Sequence, residues 1–185
     1  DGLDADGRPV RAVVGHPPCK RYGRYWSGGP SAKVRRKLGD DGGCFASMLA
    51  AAQEHNGVFE HPKDSKAWEL YGLNRPPSSG GWVRAGLFVP GWTCCVAQGR
   101  YGHPAEKMTW LYACGTDDLP DLDWGRCPGR QRLDAGYHSA EERAAARAAG
   151  ETQGRDRGRL TESERLATPR PFAELMVQIA RACAE

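Results

Sequence analysis

Two residues in this chain end short apolar runs with side chains able to make or move bonds: Cys19 and Glu60. Cys19 closes His16-Pro17-Pro18-Cys19, directly after the β-branched run Val10 to Gly15. Glu60 follows Val58-Phe59 and precedes His61-Pro62. A thiolate attacks electron-poor carbon, and a carboxylate can hold or deliver a proton. Sharing one crevice, the two suit addition to an electron-poor ring that must also be protonated. Taken singly, each has an ordinary structural explanation, as a buried cysteine or a strand-end acid. Their matched positions give the pair its weight. His16 stands three residues before Cys19, where a hydrogen bond would favour the thiolate; a bond to backbone is the plain alternative.

The elements needed to position them can be read from the pattern. Val10 to Gly15 reads as a strand, and two prolines then stop any ladder and stiffen the loop. Residues 20 to 40, rich in Gly, Pro, Ser and basic side chains, read as a long loop. Asp40-Asp41 then cap a helix from about 42 to 55, with Phe45, Met48, Leu49 and Ala52 on one face. Asn56-Gly57 ends it, and a second buried strand runs from Val58 to Glu60-His61-Pro62. A short helix from Ser65 to Tyr71 follows, then strands at Trp92 to Val96 and Met108 to Cys114. Residues 117 to 133 are turn-rich, and 138 to 160 form a charged Ala/Arg/Glu/Gly segment, helical in its first half and a mobile link in its second. Thr168-Pro169 opens a last amphipathic helix with Phe172, Leu175, Met176 and Ile179 in one stripe. This order predicts a single α/β layer domain over 1–185. Ligands of open α/β sheets bind outside the carboxyl ends of strands, where Cys19 and Glu60 would both lie.

The totals narrow the setting. At 185 residues, with 39% hydrophobic and 26% charged residues, the chain suits one globular core. Net charge is only +3, yet Lys20, Arg21, Arg24, Lys33, Arg35, Arg36 and Lys37 form a basic stretch interleaved with Tyr22, Tyr25 and Trp26. Such a mixture can hold phosphates and stack on bases, although basic runs are more often solvated loops. The other tryptophans, at 68, 82, 92, 110 and 124, read as core and edge packing. Seven cysteines, an odd number with no CxxC pair, fit a reduced, cytoplasmic protein and disfavour a disulfide scaffold or a zinc site. No apolar run is long enough to span a membrane.

Four segments together resemble the DNA (cytosine-5) methyltransferases. AVVGHPPCKRYGRYW resembles that family's strand and Pro-Pro-Cys loop, whose cysteine attacks the ring carbon next to the methylated one. NGVFEHP resembles its strand ending in Glu-Asn-Val, whose Glu protonates a ring nitrogen. YGHPAEKMTWLYACG resembles its Tyr-Gly-x-Pro-Gln-x-Arg-x-Arg segment, and RLATPRPFAELMVQIAR its closing helix. The motifs come in the family's order and cover most of the chain. By this resemblance Cys19 and Glu60 are catalytic, and Pro17, Pro18, His16, His61, Arg100, Tyr101, His103 and Lys107 bind substrate. The fold implied is a partial Rossmann-like methyltransferase sheet with flanking helices. The short form as a whole resembles phage and prophage proteins with HPPC, EHP and YGH motifs.

The departures are specific. His61 and Pro62 replace the family's Asn and Val, while Ala105, Lys107 and Thr109 replace its Gln and two Arg. Lys107 keeps a cation but loses the bidentate geometry of Arg, for which Arg100 is a possible substitute. The Phe-x-Gly-x-Gly loop that holds S-adenosylmethionine does not occur. With Asp1 rather than Met at the start, that part is expected to be absent or reduced here, or supplied by a partner chain. Three functions follow: cytosine methylation in DNA with S-adenosylmethionine; base or pyrimidine nucleotide modification without it; and non-catalytic nucleic-acid binding.

Overall fold

The computed structural model describes residues 11–23, 26–27, 33, 35–127, 129–131, 133, 140–148 and 160–185. Strand β1 (Val13–Gly15) pairs in parallel with β2 (Gly57–Pro62), with Val13 opposite Gly57 and Gly15 opposite Phe59. Helix α1 (Cys44–Glu54) lies in the crossover between them. It starts after Gly43, which adopts a left-handed conformation, so no side chain there caps the helix. The Asp41 carboxylate does so from two residues upstream, accepting the N–H groups of Gly43 at 3.0 Å and Phe45 at 2.8 Å. At the return into β2, Gly57 has φ 131°, and a Cβ there would stand 2.1 Å from the Val13 carbonyl oxygen. Only glycine lets β1 approach this closely.

Helix α2 (Lys66–Leu70) follows β2, with the Ser65 hydroxyl accepting the Ala67 N–H. Strands β3 (Val83–Arg84), β4 (Trp92–Ala97) and β5 (Met108–Cys114) complete a five-stranded sheet in the order β1-β2-β5-β4-β3. All pairings except β1–β2 are antiparallel. One face carries Phe59, Cys95, Trp110 and Tyr112 against Phe45, Leu49 and Trp68. Trp68 is fixed there through its indole N–H, which donates to Thr93 Oγ1 at 3.0 Å. The opposite face carries Val58, Cys94, Val96, Leu111 and Ala113 against α5 (Arg170–Ala184), through Phe172, Met176 and Ile179. Alternation along each strand feeds both layers, as expected for a sheet covered on two sides.

The expected α/β layering, strands and final helix are present, with local differences. Helix α1 begins later than 42, whereas β2 ends at Pro62 as expected, with Glu60 and His61 inside it. Strand β3 and the five-residue helix α4 (Glu162–Leu166) were not expected; α4 is closed by a capping box between Thr161 and Glu164. In the charged segment 138 to 160, Ala140–Ala148 is helix α3, as expected for its first half. Residues 149–159 lie outside the described residues. Among the described residues, no helix is long and apolar enough to cross a membrane, and no His/Cys/Asp/Glu group could hold a metal. All seven cysteines are free.

Candidate active site

Because β1 and β2 run in parallel, their carboxyl ends meet at one edge of the sheet. His16 leaves β1 there, and its Nδ1 lies 3.1 Å from Glu60 Oε1 on β2. The carboxylate is 14% exposed and the imidazole 42%, so Glu60 forms the floor of the site and His16 its rim. Pro17, Pro18 and Cys19 continue the loop, with Cys19 half-buried. The Cys19 carbonyl accepts the N–H groups of Tyr22 at 3.0 Å and Gly23 at 3.1 Å. A tight turn therefore begins immediately behind the thiol.

Lys107 supplies the third charged group. It precedes β5 with φ 41°, a left-handed conformation uncommon for a residue with a side chain. Its ammonium donates to the Ala167 carbonyl at 2.8 Å, on the segment that leads into α5. Burial raises the Cys19 thiol above its ordinary pKa; the Glu60 charge raises it further, while a backbone hydrogen bond and Lys107 pull it down. Burial lowers the Lys107 pKa, against the opposing pull of Glu60 and Cys19. Thiol, carboxylate and ammonium thus form one electrostatic unit. At rest the thiol is protonated, and neutralising Glu60 favours the thiolate. Replacing Lys107 by Met removes a side-chain charge that lowers the thiol, so Cys19 alkylation should slow by roughly twofold to tenfold at neutral pH, read by peptide mass.

Several expected substrate-binding residues stand elsewhere. Arg100 belongs to a 3₁₀ turn, Gln98–Tyr101, and its guanidinium is bound to Asp123 at 2.9 Å and to the carbonyls of Gly125 and Arg126. It clamps the 117–127 segment and does not substitute for an arginine at the site. Tyr101 packs edge-on against Phe172, and its hydroxyl accepts the Asp123 N–H. His103 is buried, with its ring nitrogens on Ala105 and on the Glu164 carbonyl. Tyr22, read as a stacking residue, is fully buried against Phe45; Tyr25 lies outside the described residues. Of the tryptophans read as packing, Trp68 and Trp110 are core, and Trp82 meets Trp124 edge-on.

His61 also differs from expectation. Successive strand side chains point to opposite faces, so His61 turns away from Glu60 into the α1/α2 layer, 1% exposed. Its ring lies among Tyr22, Phe45 and Trp68, and Nδ1 is 2.6 Å from Ser65 Oγ. Burial depresses its pKa to about 4 from 6.5, against smaller opposing effects from Glu60 and Asp41. An unfolded chain takes up this proton near pH 6.5, whereas the folded one resists it until about pH 4. Stability present above that window should therefore be lost as pH falls through it, by about 3 kcal/mol. Thermal midpoints of native protein and His61→Phe across this range would show it, with a flatter profile in the variant. Ser65 had a visible signal, its capping position ahead of a helix; the Ala167 carbonyl had none, since backbone acceptors leave no mark on residue type.

An open cavity of about 710 Å³ lies at the other end of the sheet, lined by Asn74, Arg84, Leu87, Phe88 and neighbours, and holds no nucleophile. As for a methyl donor, β1 is an edge strand, and no glycine-rich turn follows a strand on its outer side among the described residues. Comparison with known proteins returns no match to any family model, any curated protein or any solved structure.

Proposed function

We propose that this chain is a thiol-dependent enzyme that modifies a pyrimidine base, of the cytosine-5 methyltransferase type, with Cys19 as nucleophile and Glu60 as the proton-bearing carboxylate. The observation that carries this reading is the parallel β1–β2 pair, which brings the Cys19 loop and Glu60 to one edge with Lys107 beside them. Cys19 gives its thiol proton to Glu60, and Sγ adds to ring carbon 6 as the 5,6 double bond opens; the electron pair passes toward N3, which takes that proton from Glu60. Protonated Glu60 no longer raises the thiol, so base binding and thiolate formation assist each other. Carbon 5, now electron-rich, takes a proton from water and loses its original hydrogen to water; N3 then returns its proton to Glu60 as the thiolate is expelled, which restores the ring. The Rossmann-like identity of the sheet belongs to this same reading.

Nucleic acid is the favoured substrate over a free nucleotide. Lys20, Lys33, Arg35, Arg36 and Lys37 are exposed, and none forms an ion pair among the described residues. They sit on the loop that leaves Cys19, where phosphates of an extruded nucleotide would pass. Tritium release from cytosine labelled at carbon 5 tests the reading, in an oligonucleotide and in dCMP, with and without S-adenosylmethionine. Release from the oligonucleotide without donor is expected. Release only with the donor would restore the methyltransferase reading in full, and release from dCMP alone would move the substrate to a free nucleotide. No release from either would leave a nucleic-acid-binding protein and overturn the proposal.

A further inference from the structure

His16 and Glu60 meet because of strand register. Gly15 is paired with Phe59, so one step further along both chains places His16 opposite Glu60. Strand β1 ends at Gly15, but a proline holds the residue before it in an extended conformation. Pro17 therefore makes His16 continue the line of the strand beyond the last ladder bond. The contact that results is direct, with Nδ1 at 3.1 Å from Oε1. An ionised carboxylate has no proton to give, so this bond requires one on Nδ1, with Oε1 as its acceptor. Among the described residues it is the one hydrogen bond of the Glu60 side chain, which leaves Oε2 without a protein partner. No hydrogen bond joins His16 to Cys19 among the described residues; the imidazole meets the carboxylate, and the charge of the carboxylate acts on Cys19 and Lys107. A glutamate side chain is long and costly to order, and His16 supplies the hold.

We infer that His16 is the positioning residue of Glu60: its Nδ1–H pins Oε1 at the sheet edge, so that the charge stays beside Cys19 and Oε2 stays free for the proton. This role rests on the reading of Glu60 as the proton carrier. Its test uses no base or nucleotide, so either can fail without the other. The readout is iodoacetamide labelling of Cys19 at about pH 8, where an imidazole in water is neutral, followed by peptide mass. In native protein the Glu60 charge holds the thiol up. In His16→Leu the carboxylate swings toward water, where its charge is screened, and labelling should become roughly threefold to tenfold faster. The gain should not exceed that of Glu60→Gln. His16→Asn carries an N–H attached to Cγ, as Nδ1 is, and should return labelling to within about twofold of native.

A double variant separates action through Glu60 from a hold of His16 on its own loop. Adding His16→Leu to Glu60→Gln should change the rate by less than about twofold, since no charge remains to be misplaced. His16 is exposed and outside both core clusters, so each variant should keep a thermal midpoint close to that of its parent. A loosened loop would speed labelling in both backgrounds and would overturn the inference. So would an unchanged or slower rate in His16→Leu, or labelling of His16→Asn as fast as that of His16→Leu.

Discussion

Cys19→Ser should abolish hydrogen exchange at cytosine carbon 5, lowering tritium release by about 10³-fold or more, because a serine hydroxyl is far from ionised at neutral pH. The change removes one sulfur at a half-buried position and touches no core contact, so the thermal midpoint should stay within a few degrees of native. Nucleic-acid binding should also survive, since the basic side chains that follow Cys19 are untouched. Loss of exchange with binding retained separates an enzyme from a binding protein. Equal exchange in both proteins would remove Cys19 from the chemistry.

Glu60→Gln should drive two readouts in opposite directions. Exchange should fall by about 10²-fold to 10⁴-fold, the usual worth of a positioned proton donor. Alkylation of Cys19 should become faster, because the Glu60 charge is one of the two influences that raise the thiol. The amide keeps an acceptor for His16, so the rim of the site should persist. A merely structural carboxylate would lower both rates or neither. Faster labelling beside slower exchange is the signature of a charge that restrains the nucleophile until a base neutralises it.

How much of this was legible in the sequence depended on how far each residue lies from its positioning element. Cys19 and Glu60 could be brought together because each lies at or just past the carboxyl end of an apolar run, and such a run needs only local pattern to locate. Lys107 entered through the family resemblance, and the electrostatic link to both groups puts it at the site. Arg100, Tyr101 and His103 entered the same way and stand elsewhere, because the Gln98–Tyr101 turn folds them onto the 117–127 segment, α4 and α5. Contacts across more than twenty residues leave no periodic trace. The placement of His61 had a signal in strand alternation, since neighbours on one strand cannot share a face. Tyr22 misled because basic neighbours suggested exposure; a backbone bond from Lys66 draws it into the core. Strand β3 and helix α4, at two and five residues, are too short for periodicity to register.

On this reading Cys19, and no other cysteine, adds to a pyrimidine ring. The most direct measurement incubates the full chain with an oligonucleotide carrying 2-pyrimidinone in place of cytosine, a ring made more electron-poor by loss of its amino group. Intact mass and peptide mapping then locate any adduct. A single adduct at Cys19, absent in Cys19→Ser and weakened in Glu60→Gln, is the expected result. An adduct at the exposed Cys44 instead, or none at all with the oligonucleotide bound, would contradict it.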